Sequence, residues 1–236
     1  MTAQAIAKKS SSRRSTRRKG FTLIEMLVVV GIIGILASML LPALARAKAR
    51  ANATKCLNHI RQIGLAATMY ASDHDDELPR RGRYYTNTWA YTLLPNYKDA
   101  KILKCPSDSF LESRSYLMNG FNDYWKKILS ENDYQRLMLW VYPHGMKLTS
   151  IPLPSDTVLY GEKRRDSDHV HMDLDQKGGN DRRQVAHNMH GSRTTGGSHF
   201  AFADGSARFL KYGGSVTPVN LWAITDEWRS APVTLE

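Results

Sequence analysis

The sequence predicts an α+β fold: one long N-terminal helix packs its second half on a small antiparallel β-sheet near the C-terminus, with a long irregular insertion between them. Three observations carry this prediction. Residues 21–41 form an apolar run broken by one charge. Residues 43–73 carry an apolar stripe at helical spacing. Residues 156–210 hold short β-type runs around an Asp-Gly turn.

The apolar run reads FTLIEMLVVVGIIGILASMLL, 21 residues in which the single charge is Glu25. At a rise of about 1.5 Å per residue, such a helix covers roughly 30 Å, the hydrocarbon thickness of a bilayer. The segment before it holds seven basic residues between Lys8 and Lys19, and no acid. Basic flanks stay in the cytoplasm, so the downstream chain faces the periplasm or the outside. An ionisable group inside a membrane span is costly and by default functional. Glu25 also sits where a carboxylate favours the N-terminus of its own helix. Pro42 falls at the end of the span, where it removes one backbone hydrogen bond and kinks the rod.

From residue 43 the helical signal continues. Cys56, Ile60, Ile63, Ala67 and Tyr70 recur three and four residues apart, which places them on one face. The helix therefore runs for about fifty residues, half in the membrane and half on a soluble domain. The acids after Ser72 and the Leu78-Pro79 pair end it. Residues 80–156, rich in Tyr, Trp, Pro and Asn, read as irregular, with short helices within 123–140. Strands are expected at 156–160, 199–203 and 206–210. Asp204-Gly205 marks a tight hairpin with positive φ at both turn positions. Phe200 and Phe202 share a face, and Phe209 is expected to join them across the turn.

The chain has 33 basic and 22 acidic residues, a net charge of +11, and a mean hydropathy of −0.43. Seven of the basic residues lie in the leader, leaving +4 for residues 21–236. The remaining basic clusters, Arg80, Arg81 and Arg83 and then Lys163, Arg164 and Arg165, read as solvated loops, so nucleic acid is not an expected partner. The two cysteines, Cys56 and Cys105, lack a CxxC partner, which excludes a zinc ribbon or a thioredoxin motif. In an exported chain they can pair; in a cytosolic chain they are buried and inert.

His169, His171, His187, His190 and His199 lie among several aspartates. The His169-x-His171 spacing suits metal ligation on a strand, but the flanking glycines favour a polar surface loop. Asp73, Asp75 and Asp76 invite calcium without the spacing of a calcium loop. Asp75, Asp76 and Glu77 invite paired-carboxylate chemistry, but adjacent acids at a helix end usually stop the helix. No nucleophile elbow is present. The expectation is no enzyme and no cofactor, with calcium or another metal as the alternative.

The segment Lys19-Gly20-Phe21-Thr22-Leu23-Ile24-Glu25, followed by the apolar run, resembles the type IV prepilin signature. The resemblance implies cleavage between Gly20 and Phe21 by a membrane-embedded prepilin peptidase, which also methylates the Phe21 amine. It implies an assembly role for Glu25, which pairs with the Phe21 amine of a neighbouring subunit, and for Pro42. The segments CLNHIRQIGLAATMYASDHDDELP, ILKCPSD, DTVLYGE and HFAFADGSARFL look like a large group of bacterial pilin-like proteins. That likeness pairs Cys56 with Cys105; two free buried thiols are the alternative. It also implies a C-terminal processing-associated motif of His190, Asp204 and Gly205. Thirteen residues separate His190 from Asp204 where the pattern has nine; a four-residue insertion at 191–198 accounts for this, or else the histidine role is lost.

The domains implied are a cleaved leader at 1–20, a transmembrane and assembly helix at 21–42, and a periplasmic pilin-like domain at 43–236. The function implied is a pilin or pseudopilin subunit of a type II secretion or type IV pilus-like filament. Its partners are the prepilin peptidase, other pilin or pseudopilin subunits, an inner-membrane assembly platform and membrane lipid. The location is the bacterial inner membrane, single-pass, with the leader cytoplasmic and the C-terminal domain periplasmic. The alternative is a membrane-tethered glycan-binding module that stacks sugars on Tyr84, Tyr85, Trp89 and Tyr91.

Overall fold

The computed structural model describes residues 20–83, 87–109, 114–174 and 180–231. The chain divides into two units, Met1–Arg46 and Ala47–Glu236.

Helix α1 spans Leu23–Asp73, 51 residues with Pro42 inside it. In the first unit its side chains are exposed apart from half-exposed Ala37. It is the one helix among the described residues that is long and apolar enough to cross a membrane.

In the second unit α1 buries Cys56, Ile60, Ile63, Gly64 and Ala67, as helical spacing requires. The stripe continues through Ala71, not Tyr70, which is half-exposed and stacks on His74 at 3.8 Å. Gly64 brings the helix backbone close to the sheet, since a Cβ there would lie 3.2 Å from that of Ala201. After Asp73 two residues with positive φ, Asp75 (51°) and Asp76 (68°), reverse the chain.

The sheet has five strands: β1 (Tyr116–Asn119), β2 (Val158–Glu162), β3 (His171–Met172), β4 (Gly197–Phe202) and β5 (Ala207–Lys211). Their order is β3-β1-β2-β4-β5. β3 runs parallel to β1, and the other pairs are antiparallel. The sheet is thus mixed, a correction to the expected antiparallel one. The crossover from β1 through β2 to β3 returns the chain in the same direction beside β1.

Two apolar layers cover the sheet. One holds Ile60 and Ile63 of α1 with Tyr116, Met118, Tyr160 and Ala201. The other holds Leu117, Val158, Phe200 and Phe202 against Trp222 and Val216 of the C-terminal segment. Because both faces are covered, β1, β2 and β4 are buried along their whole length. Asn119 ties the second layer down: its Nδ2 donates to the carbonyls of Val158 and Trp222, each at 2.8 Å. The irregular insertion also contains α2 (Trp89–Thr92), α3 (Leu94–Tyr97), α4 (Asn122–Ile128) and α5 (Glu131–Met138); α6 (Asp226–Ser230) follows the sheet.

Two features of the β4–β5 hairpin differ from expectation. Only Gly205 has positive φ, 82°. Gly205 N–H donates to the Phe202 carbonyl at 3.0 Å, and Ser206 N–H donates to Asp204 Oδ1 at 2.9 Å. The turn is therefore the three-residue kind, in which only the glycine must be left-handed. Phe209 does not join Phe200 and Phe202. The register sets it opposite His199, so it lies on the other face, its ring 5.4 Å from that histidine.

Candidate functional site

Gly20 and Phe21 precede α1; residues 1–19 of the expected leader lie outside the described residues. Thr22 and Glu25 form a reciprocal cap. The Thr22 N–H and hydroxyl both donate to Glu25 Oε2 at 2.8 Å, and Glu25 N–H donates to Thr22 Oγ1 at 3.3 Å. This is the T-x-x-E capping box. In the single chain, then, Glu25 satisfies its own helix N-terminus. The helix dipole alone does not bring in Thr22, although the spacing along the sequence shows the box. Pro42 lies within α1, with helix on both sides.

A second group assembles in the Ala47–Glu236 unit. Cys56 of α1 and Cys105, which follows a short 3₁₀ turn, are joined by a disulfide with Cα atoms 5.0 Å apart. Ser115 Oγ accepts from Cys105 N–H at 3.0 Å and so fixes the loop. His190 lies against this bond, its Nε2 3.8 Å from Cys105 Sγ and 2.8 Å from Glu162 Oε1. Glu162 ends β2 and is fully buried. Its Oε2 accepts from the backbone N–H of His199 at 2.9 Å, and His199 Nδ1 lies 3.5 Å from Oε1. Burial opposes ionisation of Glu162, yet the hydrogen bonds from His190 and His199 hold its carboxyl below the usual carboxylate range.

The expected C-terminal motif is not brought together. His190 bridges Gly197 at the start of β4, whereas Asp204 and Gly205 follow its end. Asp204 and Gly205 make the hairpin turn, and His190 joins the cysteines. Sequence reasoning missed Glu162, and it weighed His199 as a possible metal ligand without joining it to Glu162. Both lie in segments it singled out, DTVLYGE and HFAFADGSARFL, but spacing along the chain does not reveal that β2 and β4 pair.

Other candidates have structural partners. Asp76 Oδ2 accepts from Thr149 N–H at 2.9 Å, and Glu77 Oε2 from Gly145 N–H at 3.1 Å, which docks the 144–149 loop. His169 Nδ1 lies 3.3 Å from Asp181 Oδ2. His171 packs on Trp140 with ring centroids 5.3 Å apart. Trp89 is fully buried and donates from Nε1 to the Val170 carbonyl at 3.1 Å, so it offers no face to a sugar. Tyr84 and Tyr85 lie outside the described residues.

Residues 15–41 match the family model described as the prokaryotic N-terminal methylation motif. Type II secretion system core protein G of Escherichia coli (strain K12) is 34% identical over 100 residues, which cover 41% of this chain and 69% of the relative. The protein of the same name from Vibrio cholerae is 39% identical over 125 residues, 53% of this chain and 74% of the relative. The type IV wide pilus major component of Thermus thermophilus is 44% identical over 57 residues, 24% of this chain and 44% of the relative. No solved structure matches the chain.

Proposed function

The chain belongs to the prepilin-type family that includes type II secretion system core protein G, and from that premise we propose that it is a structural subunit of a pseudopilus or pilus-like filament. The observation that carries this reading is the apolar half of α1. Leu23 and Ile24 are 80% and 73% exposed, and the large apolar side chains from Met26 to Leu41 remain exposed as well. Each such side chain gains about 1.5–3 kcal/mol when withdrawn from water. A surface of this kind rests in lipid or against other subunits.

The subunit is cut between Gly20 and Phe21 by prepilin peptidase and methylated at the Phe21 amine. It waits in the inner membrane with its C-terminal domain in the periplasm. An assembly platform then moves it into the filament, where neighbouring helices replace lipid. Glu25 exchanges its cap on Thr22 for the Phe21 amine of the next subunit, which sets the register. Pro42 lacks the N–H that would hold the helix rigid at the end of the span.

Two substitutions test the role of Glu25. Glu25→Gln keeps an oxygen that can cap the helix but removes the charge; Glu25→Ala removes both. Both variants are expected to be processed normally and to fail in filament assembly, scored by electron microscopy and shearing. Filaments from Glu25→Gln at the wild-type level would reduce Glu25 to a helix cap.

A further inference from the structure

Four ligand-type atoms converge beside α1: Sγ of Cys56, Sγ of Cys105, Oε1 of Glu162 and Nε2 of His190, all within 4.8 Å of one another. Cys56, Cys105 and Glu162 have no exposed surface, and the His190 side chain is 7% exposed. A disulfide returns little to a carboxylate and an imidazole buried against it, because it carries no charge and accepts hydrogen bonds weakly. Burying ionisable groups is costly before their mutual attraction is counted.

The same atoms suit a metal once the sulfurs part. Two thiolates, an imidazole and a carboxylate are ligand classes that zinc takes in four-coordinate sites. Zinc bonds of about 2.0–2.3 Å imply ligand-to-ligand spacings of roughly 3.3–3.8 Å in a tetrahedron. Two of the separations here, 2.8 Å from His190 Nε2 to Glu162 Oε1 and 3.8 Å from His190 Nε2 to Cys105 Sγ, lie below and at the upper end of that range, and all four atoms lie within 4.8 Å of one another. Small side-chain movements would complete the set.

The supporting contacts are also in place. His199 N–H holds Glu162 Oε2 and leaves Oε1 facing His190. The backbone of His190 is held by two bonds to Gly197, at 3.0 and 3.1 Å. Contacts of this kind orient metal ligands and raise affinity.

We propose that Cys56, Cys105, Glu162 and His190 become a zinc-class metal site when the disulfide is reduced, so that the staple between α1 and the Cys105 loop has a covalent form and a metal-held form. A dithiol reductant supplies two electrons and two protons to the Cys56–Cys105 bond and leaves as a disulfide. Two thiols result. Metal binding releases both thiol protons to solvent; His190 gives up the Nε2 proton that faced Glu162 and, as the neutral ring, carries its one proton on Nδ1, exchanged through solvent, while Glu162 binds as the carboxylate. Thiolate donors favour zinc over magnesium or calcium. Neither form of the staple depends on filament assembly.

The test uses the full chain in detergent, oxidised or reduced with a phosphine, titrated with cobalt as a spectroscopic stand-in and with zinc. The reduced chain is expected to take up one equivalent of cobalt, with the intense visible spectrum of a tetrahedral thiolate site; the oxidised chain gives none. His190→Ala and Glu162→Gln, each with both thiols intact, are expected to weaken cobalt binding by about tenfold or more. Zinc is expected to raise the unfolding temperature of the reduced chain alone. If reduction loosens the fold, zinc is expected to restore the near-ultraviolet circular dichroism. Any of three results overturns the proposal: a reduced chain without the tetrahedral spectrum, wild-type affinity in both variants, or zinc without effect on the reduced chain's stability or dichroism.

Discussion

His171 and His187 are folded in their neutral forms, and this gives the protein a pH dependence. Burial, with Arg81 and Arg114 nearby, holds the His171 imidazole well below its ordinary value. Burial pushes His187 down to about 4. A histidine whose folded pKa is lowered binds fewer protons than in the unfolded chain, so its stabilisation is lost as pH falls below the unfolded value. The window for His187 runs from about 6.5 down to about 4. Between pH 7 and pH 5 it removes about 2 kcal/mol, and His171 acts in the same direction. His169 opposes them, because its bond to Asp181 raises its pKa and adds stability as pH falls. Glu162, with its lowered pKa, adds its own loss once pH falls below the ordinary carboxylate value, and that loss is complete below its folded value. Thermal unfolding of the full chain in detergent is expected to show a lower transition at pH 5 than at pH 7, with a shallower slope in His187→Gln. A buried ion pair supplies a second residue-scale prediction. Arg81 and Asp173 pair in bidentate fashion, and Arg81 also lies over the Trp140 ring at 4.7 Å. Asp173→Ala strands the guanidinium and is expected to cost about 3–5 kcal/mol in denaturant unfolding.

At the scale of elements, α1 was legible because each of its parts has a strong physical signal. An uninterrupted apolar run of bilayer length is the pattern of a membrane span, the Cys56-Ile60-Ile63-Ala67 spacing is that of one helix face, and the acids after Ser72 mark the end that Asp73 makes. The hairpin was legible through Asp204-Gly205, although its turn type was not, because a single left-handed glycine suffices. β1 was not legible. Tyr116-Leu117-Met118-Asn119 is buried on both faces, so it lacks the alternation that marks a half-exposed strand. β3 is two residues long and carries no pattern at all. The metal-type cluster stayed hidden for the same reason, because its members come from four distant segments that only the fold brings together. These elements can be tested separately. Ile63→Ala, in the layer between α1 and the sheet, is expected to cost about 2–5 kcal/mol. Asn119→Ala leaves the carbonyls of Val158 and Trp222 without their donor and is expected to cost about 1–3 kcal/mol.

At the scale of the whole molecule, the chain combines a helix whose apolar surface it leaves uncovered with a domain whose sheet is covered on both faces. The disulfide acts on the domain. Cys56 and Cys105 are 49 residues apart, and in the chain-entropy view a loop of that size contributes about 2–4 kcal/mol. Replacing both with serine is expected to lower stability by that amount in urea unfolding with a chelator present. Charge belongs to the whole chain as well, since the proposed removal of residues 1–20 would take away seven of its basic residues. That processing would separate an assembly subunit from a chain that is merely anchored. Intact-mass measurement of the membrane-extracted protein addresses it directly. The expected species begins at Phe21, lacks residues 1–20 and carries one added methyl group. A chain that keeps its leader, or one cut beyond the apolar run, would rule out processing between Gly20 and Phe21.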